Sequence, residues 1–220
     1  MNLQSRPLLR SSLGRKYVMA LTGFLLIVFV LGHMAGNLLI YAGERSLDNY
    51  AALLKGNPAL LWTARTVLLV AFVLHIGVGT FLTTENSAAR PVPYVYERPI
   101  VSPWPARHMM LTGLVILAFL IFHLAHFTWG LVQPETYSKH EVYRMSVAAY
   151  KVWWITATYL AAQFVLFLHL WHGASSWFQS LGFNHPRWNR FFRGFGPGFA
   201  TLILVGNCSI PLGVVAGVIQ

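Results

Sequence analysis

The sequence predicts an all-α integral membrane protein, a bundle of five transmembrane helices forming a single membrane domain over residues 1–220. Three observations carry that prediction. Hydrophobic residues make up 56% of the chain and charged residues only 10%. An ordinary soluble domain is about 25% charged, so there is too little charge here to cover a water-facing surface. Five apolar stretches each exceed the roughly 20 residues that a helix needs to cross the hydrocarbon. The single cysteine, Cys208, leaves no internal disulfide and no cysteine-based zinc or iron–sulfur site. A soluble enzyme, a disordered tail and a secreted disulfide scaffold are all excluded by this composition.

The spans run approximately over 17–41, 60–84, 108–132, 150–177 and 195–218. The first is too long to be the apolar region of a cleaved signal peptide, about 7–15 residues, and it carries His33 and Asn37. The second and fourth contain Arg65 and Lys151 near their ends, where long basic side chains reach the interface. Trp62, Trp104, Trp129, Trp153, Trp154, Trp177 and Trp188 fall near span ends, as interfacial aromatics do. The fifth contains Pro197 and Pro211 and is expected to be kinked or broken.

Lys and Arg number 16 against six Asp and Glu. In a soluble protein that excess suggests nucleic acid. Here no basic helix or aromatic–basic platform accompanies it, and it reads as topology. Arg6, Arg10, Arg15, Lys16, Arg90, Arg98, Arg107, Arg187, Arg190 and Arg193 fall on one side of a five-span chain. Arg45, Lys55, Arg65, Lys139, Arg144 and Lys151 fall on the other, diluted by Glu44, Asp48, Glu135 and Glu141. Basic residues collect in cytoplasmic loops, which places the N-terminus in the cytoplasm and the C-terminus outside. The proline-rich segment from Glu85 to Arg107 reads either as an extended connector or, with the other basic segments, as part of a face that docks a soluble partner.

Nine histidines are present; His108, His140 and His185 lie in loops or at span ends, and six lie inside spans: His33, His75, His123, His126, His169 and His172. A polar group in a transmembrane helix is costly and points to function, although a lone one is satisfied by a bond to a neighbouring helix. Here four helices each carry at least one, and the depths match in pairs. With about 1.5 Å of rise per residue, His33 and His123 fall toward the outer side, and His75 and His169 toward the inner side. Two imidazoles facing one another at one depth suit the axial ligation of a haem iron, and a bis-histidine site favours electron transfer over chemistry at the metal. Zinc wants three or four ligands converging on one point, which two pairs at different depths do not supply.

Gly32 and Gly36 flank His33, Gly77 and Gly79 follow His75, and Gly173 follows His169 by four. Such glycines let a flat ring approach the backbone, and they equally suit close helix–helix contacts. Thr22-Gly23 precedes His33 as Thr112-Gly113 precedes His123, an internal echo on the two helices that share a pair. His126 and His172 are near neighbours of His123 and His169 on the same helix face. Gly130, four residues after His126, argues for His126; the Thr-Gly echo argues for His123, and Gly173 for His169.

One histidine on each of four consecutive helices, followed by a fifth helix without one, resembles the two-haem cytochrome b membrane anchor of succinate dehydrogenase and quinol:fumarate reductase, in its single-polypeptide, five-helix form. The carriers are Ser11-Ser12-Leu13-Gly14-Arg15-Lys16, Gly32-His33-Met34, His75, Thr112-Gly113 through His123, Gln133-Pro134, His169 with Gly173, and Leu181-Gly182. The resemblance implies two haem b groups, His75 and His169 holding the inner one and His33 and His123 the outer one. It implies an iron–sulfur subunit and a flavoprotein subunit on the cytoplasmic face of a bacterial inner membrane, and electron exchange with a quinone, menaquinone in most two-haem members. The membrane-embedded glutamates of some members are missing here, since the spans hold no Asp or Glu apart from the boundary residue Glu85.

Around that frame, Arg15, Lys16 and Arg107 are candidates for contact with haem propionates, and Asn37, Tyr41, Arg65 and Trp129 for a quinone site at the outer ends of the first three spans. The interfacial position of these four equally suits simple anchoring. His126 and His172 would then support the ligands. The rival readings are another quinone-reactive cytochrome b subunit of a respiratory dehydrogenase, or a haem-free membrane anchor or transporter.

Overall fold

The computed structural model describes residues 11–89, 104–183 and 185–220. Arg6, Arg10, Arg90, Arg98 and most of the proline-rich segment lie outside the described residues. The described chain is helical, and five helices are long and apolar enough to cross a membrane. In order, the elements are α1 (Ser12–Asn37), α2 (Glu44–Lys55), α3 (Pro58–Ala88), α4 (Trp104–Arg107), α5 (Met109–Phe127), α6 (Val142–Tyr150), α7 (Trp153–Ser180) and α8 (Asn189–Val215).

Local chemistry sets the ends. Ser11 caps α1 by accepting from the Gly14 N–H at 2.9 Å. The helix tightens into a 3-10 turn over Leu38–Ala42 and stops at Gly43, whose φ of 93° suits glycine. Asn57 caps α3 from the Leu60 N–H at 3.0 Å, with Pro58 at the first helical position. The helix α5 ends sooner than its apolar stretch, at Phe127, followed by Gly130 at φ 66°. Tyr137 lies over Gly130, and its hydroxyl donates to the Thr128 carbonyl at 2.7 Å. Gly130 therefore serves the backbone, and its spacing from His126 says nothing about a bound ring.

Neighbouring long helices run antiparallel. Arg15 of α1 lies over Phe81 and pairs with Glu85 of α3, Met19 meets Gly79, and Gly23 meets His75. In the same way Gly113 of α5 meets His169 of α7, while Phe119 meets Tyr159. Much of the apolar surface faces outward: Leu69 is 63% exposed, Val73 60% and Val205 62%. Side chains of that kind belong against lipid.

Besides the four-residue α4, two short helices lie where the sequence indicated only connections. The amphipathic α2 buries Leu47, and α6 buries Met145, Val147 and Ala149. Together with Ile40, Ile210, Val214 and Ile219, Leu47 and Val147 form an apolar cluster at one end of the bundle. The Tyr143 N–H of α6 donates to Asp48 of α2 at 2.9 Å. The result is two similar halves, α1–α2–α3 and α5–α6–α7, each a long helix, a short capping helix and a long helix back.

The fifth long helix, α8, is continuous from Asn189 to Val215 with both prolines inside it; of the two expected outcomes, kinked or broken, it is not broken. Pro197 lacks the N–H that would reach the Arg193 carbonyl. The Ser175 hydroxyl of α7 donates to that carbonyl at 3.3 Å and accepts from the Gly196 N–H at 3.1 Å. A neighbouring helix thus satisfies the backbone group that the proline frees, as membrane helices require. Asn207 of α8 also donates to Gln163 of α7 at 2.9 Å.

Candidate functional site

Four helices bring four histidines together as two pairs. His33 of α1 and His123 of α5 have ring centroids 5.9 Å apart with planes at 90°. His75 of α3 and His169 of α7 have centroids 6.4 Å apart at 63°. These are the partners that the depth argument expects. Along α1, Gly23 marks the level of His75, and His33 lies ten residues on, which is about 15 Å of rise. The pairs are therefore separated by roughly half the thickness of the hydrocarbon.

Distance alone fits either an edge-to-face ring contact or two imidazoles bound to one metal. With each metal–nitrogen bond about 2 Å, ring centres across a shared metal lie roughly 6 Å apart. Hydrogen bonding separates the two cases at the inner pair. Thr22 Oγ1 donates to the Val18 carbonyl at 2.8 Å and lies 3.2 Å from His75 Nδ1. The threonine proton is committed to its own helix, so Nδ1 carries the hydrogen. A neutral imidazole has only one, which leaves a lone pair on Nε2.

The second half repeats the arrangement. Thr112 Oγ1 donates to the His108 carbonyl at 3.0 Å and lies 3.0 Å from His169 Nδ1. His75 and His169 thus each keep Nε2 as an acceptor, and no hydrogen bond reaches either Nε2 among the described residues. Two acceptors cannot bond each other. A metal between them satisfies both, and ligating histidines do donate the other ring N–H to a fixed acceptor. By this test the donor set fits a metal shared by the two rings.

The threonines show what the Thr-Gly echo is for. In the sequence it marks His33 and His123 on the same helices. Instead Thr22-Gly23 receives His75, and Thr112-Gly113 receives His169. A Cβ on Gly23 would stand 3.3 Å from the His75 ring, and one on Gly113 3.5 Å from the His169 ring. The other glycines divide. Gly36 and Gly79 meet side chains of neighbouring helices, Tyr50 and Met19, while a Cβ on Gly32 or Gly77 would meet nothing within 4 Å.

At the outer pair His123 Nδ1 is 3.2 Å from the Tyr159 hydroxyl. The same hydroxyl is 3.1 Å from His126 Nδ1, and His126 Nε2 is 2.9 Å from Gln133 Oε1. His126 is 2% exposed with both ring nitrogens engaged, which leaves it no lone pair for a metal. His172 is half-buried, and no hydrogen bond reaches its ring among the described residues. Tyr159 had no signal in the sequence, where a tyrosine inside an apolar span reads as one more apolar residue. No three or more His, Cys, Asp or Glu side chains converge among the described residues, the number on which a zinc site draws.

The remaining candidates separate. Arg15 is buried and donates to both Glu85 carboxylate oxygens at 2.8 Å, so its partner is a carboxylate of the chain itself. Lys16 and Arg107 are exposed near the α1 N-terminus and at the end of α4. Trp177, near the end of α7, packs into the bundle: it stacks on Phe24 with centroids 4.8 Å apart, and its indole nitrogen is buried with no acceptor among the described residues. It lies eight residues beyond His169, about 12 Å along α7.

Of the proposed quinone group, the Tyr41 hydroxyl donates to the Ser209 carbonyl at 2.7 Å, and Arg65 lies over the Trp62 ring. Trp129 is exposed and Asn37 half-buried. No hydrogen bond or ring contact joins any two of these four. The chain as a whole matches no protein-family description, no curated protein and no solved structure.

Proposed function

We propose that this chain is the dihaem cytochrome b membrane anchor of a succinate:quinone oxidoreductase. In this reading it passes electrons between a cytoplasmic iron–sulfur subunit, itself served by a flavoprotein subunit, and a membrane quinone, menaquinone by preference. The observation that carries the haem assignment is the inner pair, two imidazoles whose Nε2 lone pairs have no partner among the described residues and whose rings stand at the separation a shared metal sets. The partner subunits and the quinone come from the sequence resemblance.

When bound, haem would supply one-electron redox chemistry. The chain's own residues would do the rest. His75 and His169 would hold the inner group, with Thr22 and Thr112 fixing their tautomers, and His33 and His123 would hold the outer one. Gly23 and Gly113 allow the inner ligands to sit close to α1 and α5. The Trp177 N–H and the Lys16 and Arg107 cations are available to propionates at the inner end. The exposed apolar side chains keep water away from the whole. The N-terminal end faces the cytoplasm in this reading, on the charge distribution.

The test is a reduced-minus-oxidised absorption spectrum of the purified chain with a haem-to-protein ratio. Two haem b per chain is the expected result, and none sinks the proposal. Succinate-dependent quinone reduction in membranes carrying His75→Ala then tests the partner assignment, and a rate equal to the unmodified protein would count against it.

A further inference from the structure

The outer pair differs from the inner one in how its ligand is held, and the difference reaches to the end of the bundle. His123, Tyr159, His126 and Gln133 form one chain of hydrogen bonds, at 3.2, 3.1 and 2.9 Å. Gln133 lies beyond the end of α5, in the connection to α6. Resting on the haem reading above, we propose that Gln133 sets which nitrogen of His123 is free to bind iron, through a hydrogen-bond chain that has a direction.

The direction follows from counting protons. Tyr159 has one hydroxyl proton and sits between two ring nitrogens, so it donates to one and accepts from the other. Gln133 presents its carbonyl oxygen to His126 Nε2, and a carbonyl only accepts. His126 Nε2 therefore carries the hydrogen of that ring, and its Nδ1 is an acceptor. The Tyr159 hydroxyl must then donate to His126. Its oxygen is left to accept, and His123 supplies the N–H from Nδ1. That leaves the lone pair of His123 on Nε2.

Reversing the first link reverses all of them. A donor at position 133 would make His126 Nε2 an acceptor and put the hydrogen on Nδ1. The Tyr159 oxygen would accept it, and its proton would pass to face His123 Nδ1. His123 would then carry its hydrogen on Nε2, the nitrogen needed for iron. No group ionises in either direction. The inner ligands are immune, because Thr22 and Thr112 commit their protons to backbone carbonyls of their own helices.

The experiment compares two substitutions of similar size in the full chain, read by haem stoichiometry and by redox titration of each haem. Gln133→Glu, in its ionised form, offers only acceptors and keeps the direction. It should retain two haems, with the outer one at a lower midpoint potential because His123 becomes a stronger donor. Gln133→Lys offers only donors. It should weaken outer-haem retention by roughly ten- to a hundred-fold, leaving one haem with the spectrum of the inner site. The inner haem reports in the same sample that the bundle has folded.

Should Gln133→Lys lose both haems, Tyr159→Phe decides the matter. It keeps the ring and removes the link, and the outer potential should rise as His123 loses its acceptor. Two haems with unchanged outer potentials in all three variants overturn the proposal. An unmodified chain without haem overturns the reading beneath it instead, before any variant is made.

Discussion

Replacing Thr22 by valine keeps the shape of the side chain and removes the acceptor for the His75 N–H. The same holds for Thr112 and His169. Each variant should weaken retention of the inner haem or raise its midpoint potential, by about ten- to a hundred-fold in affinity, and leave the outer haem unchanged. Redox titration of Thr22→Val and Thr112→Val checks this; effects on different haems would show that the threonines do not serve one site. In the same way His75→Ala and His169→Ala should each delete the same haem, counted by pyridine haemochrome. His126→Ala should retain both, with the outer potential shifted, because His126 holds Tyr159 and not a metal. The four paired histidines were legible in the sequence because a polar ring in a long apolar run has few inexpensive explanations. Tyr159 and Gln133 were not. Their importance depends on which side chains face them across helices, and no spacing along the chain records that.

At the scale of elements, Ser175 and Pro197 form a unit. Ser175→Ala removes the donor to the Arg193 carbonyl that the proline leaves free, and should cost about 1 kcal/mol. In a Pro197→Ala background the alanine N–H can bond that carbonyl, so the same serine change should cost less. Thermal unfolding of the four proteins in detergent gives the coupling, and strictly additive effects would separate the two residues. The long helices were readable because each exceeds the span length by itself. The short ones were not. With 12 and nine residues, α2 and α6 fall well below a span, and their apolar faces matter only against each other and α8. The continuity of α8 was hidden for a related reason: a proline is read as a break until a hydroxyl on another helix is known to replace the lost bond.

For the whole molecule, the arrangement of helices fixes which segments share a side. Ser46 and Ser138 lie in α2 and just before α6, at one end; Ala89 and Asn189 close α3 and open α8 at the other. With Cys208 replaced by serine, cysteines at Ala89 and Asn189 should react with an impermeant reagent only from the cytoplasmic side. Cysteines at Ser46 and Ser138 should react only from outside. Reaction of Ser46 and Ala89 positions from the same side would break the five-span arrangement. The orientation rests on the distribution of basic residues, whereas the grouping into two ends rests on the helices themselves.

The two halves have a consequence for how the protein is made. Every pair takes one histidine from each half: His33 and His75 come from the first, His123 and His169 from the second. A growing chain that has delivered only α1 to α3 into the bilayer holds two unmatched imidazoles and no complete site. The outer pair closes when α5 arrives, and the inner one waits for α7. Synthesis therefore completes the two sites in a set order, outer before inner. If the pairs hold haem as proposed, each group can be captured only once both of its histidines have been delivered, and its incorporation would be a check on assembly.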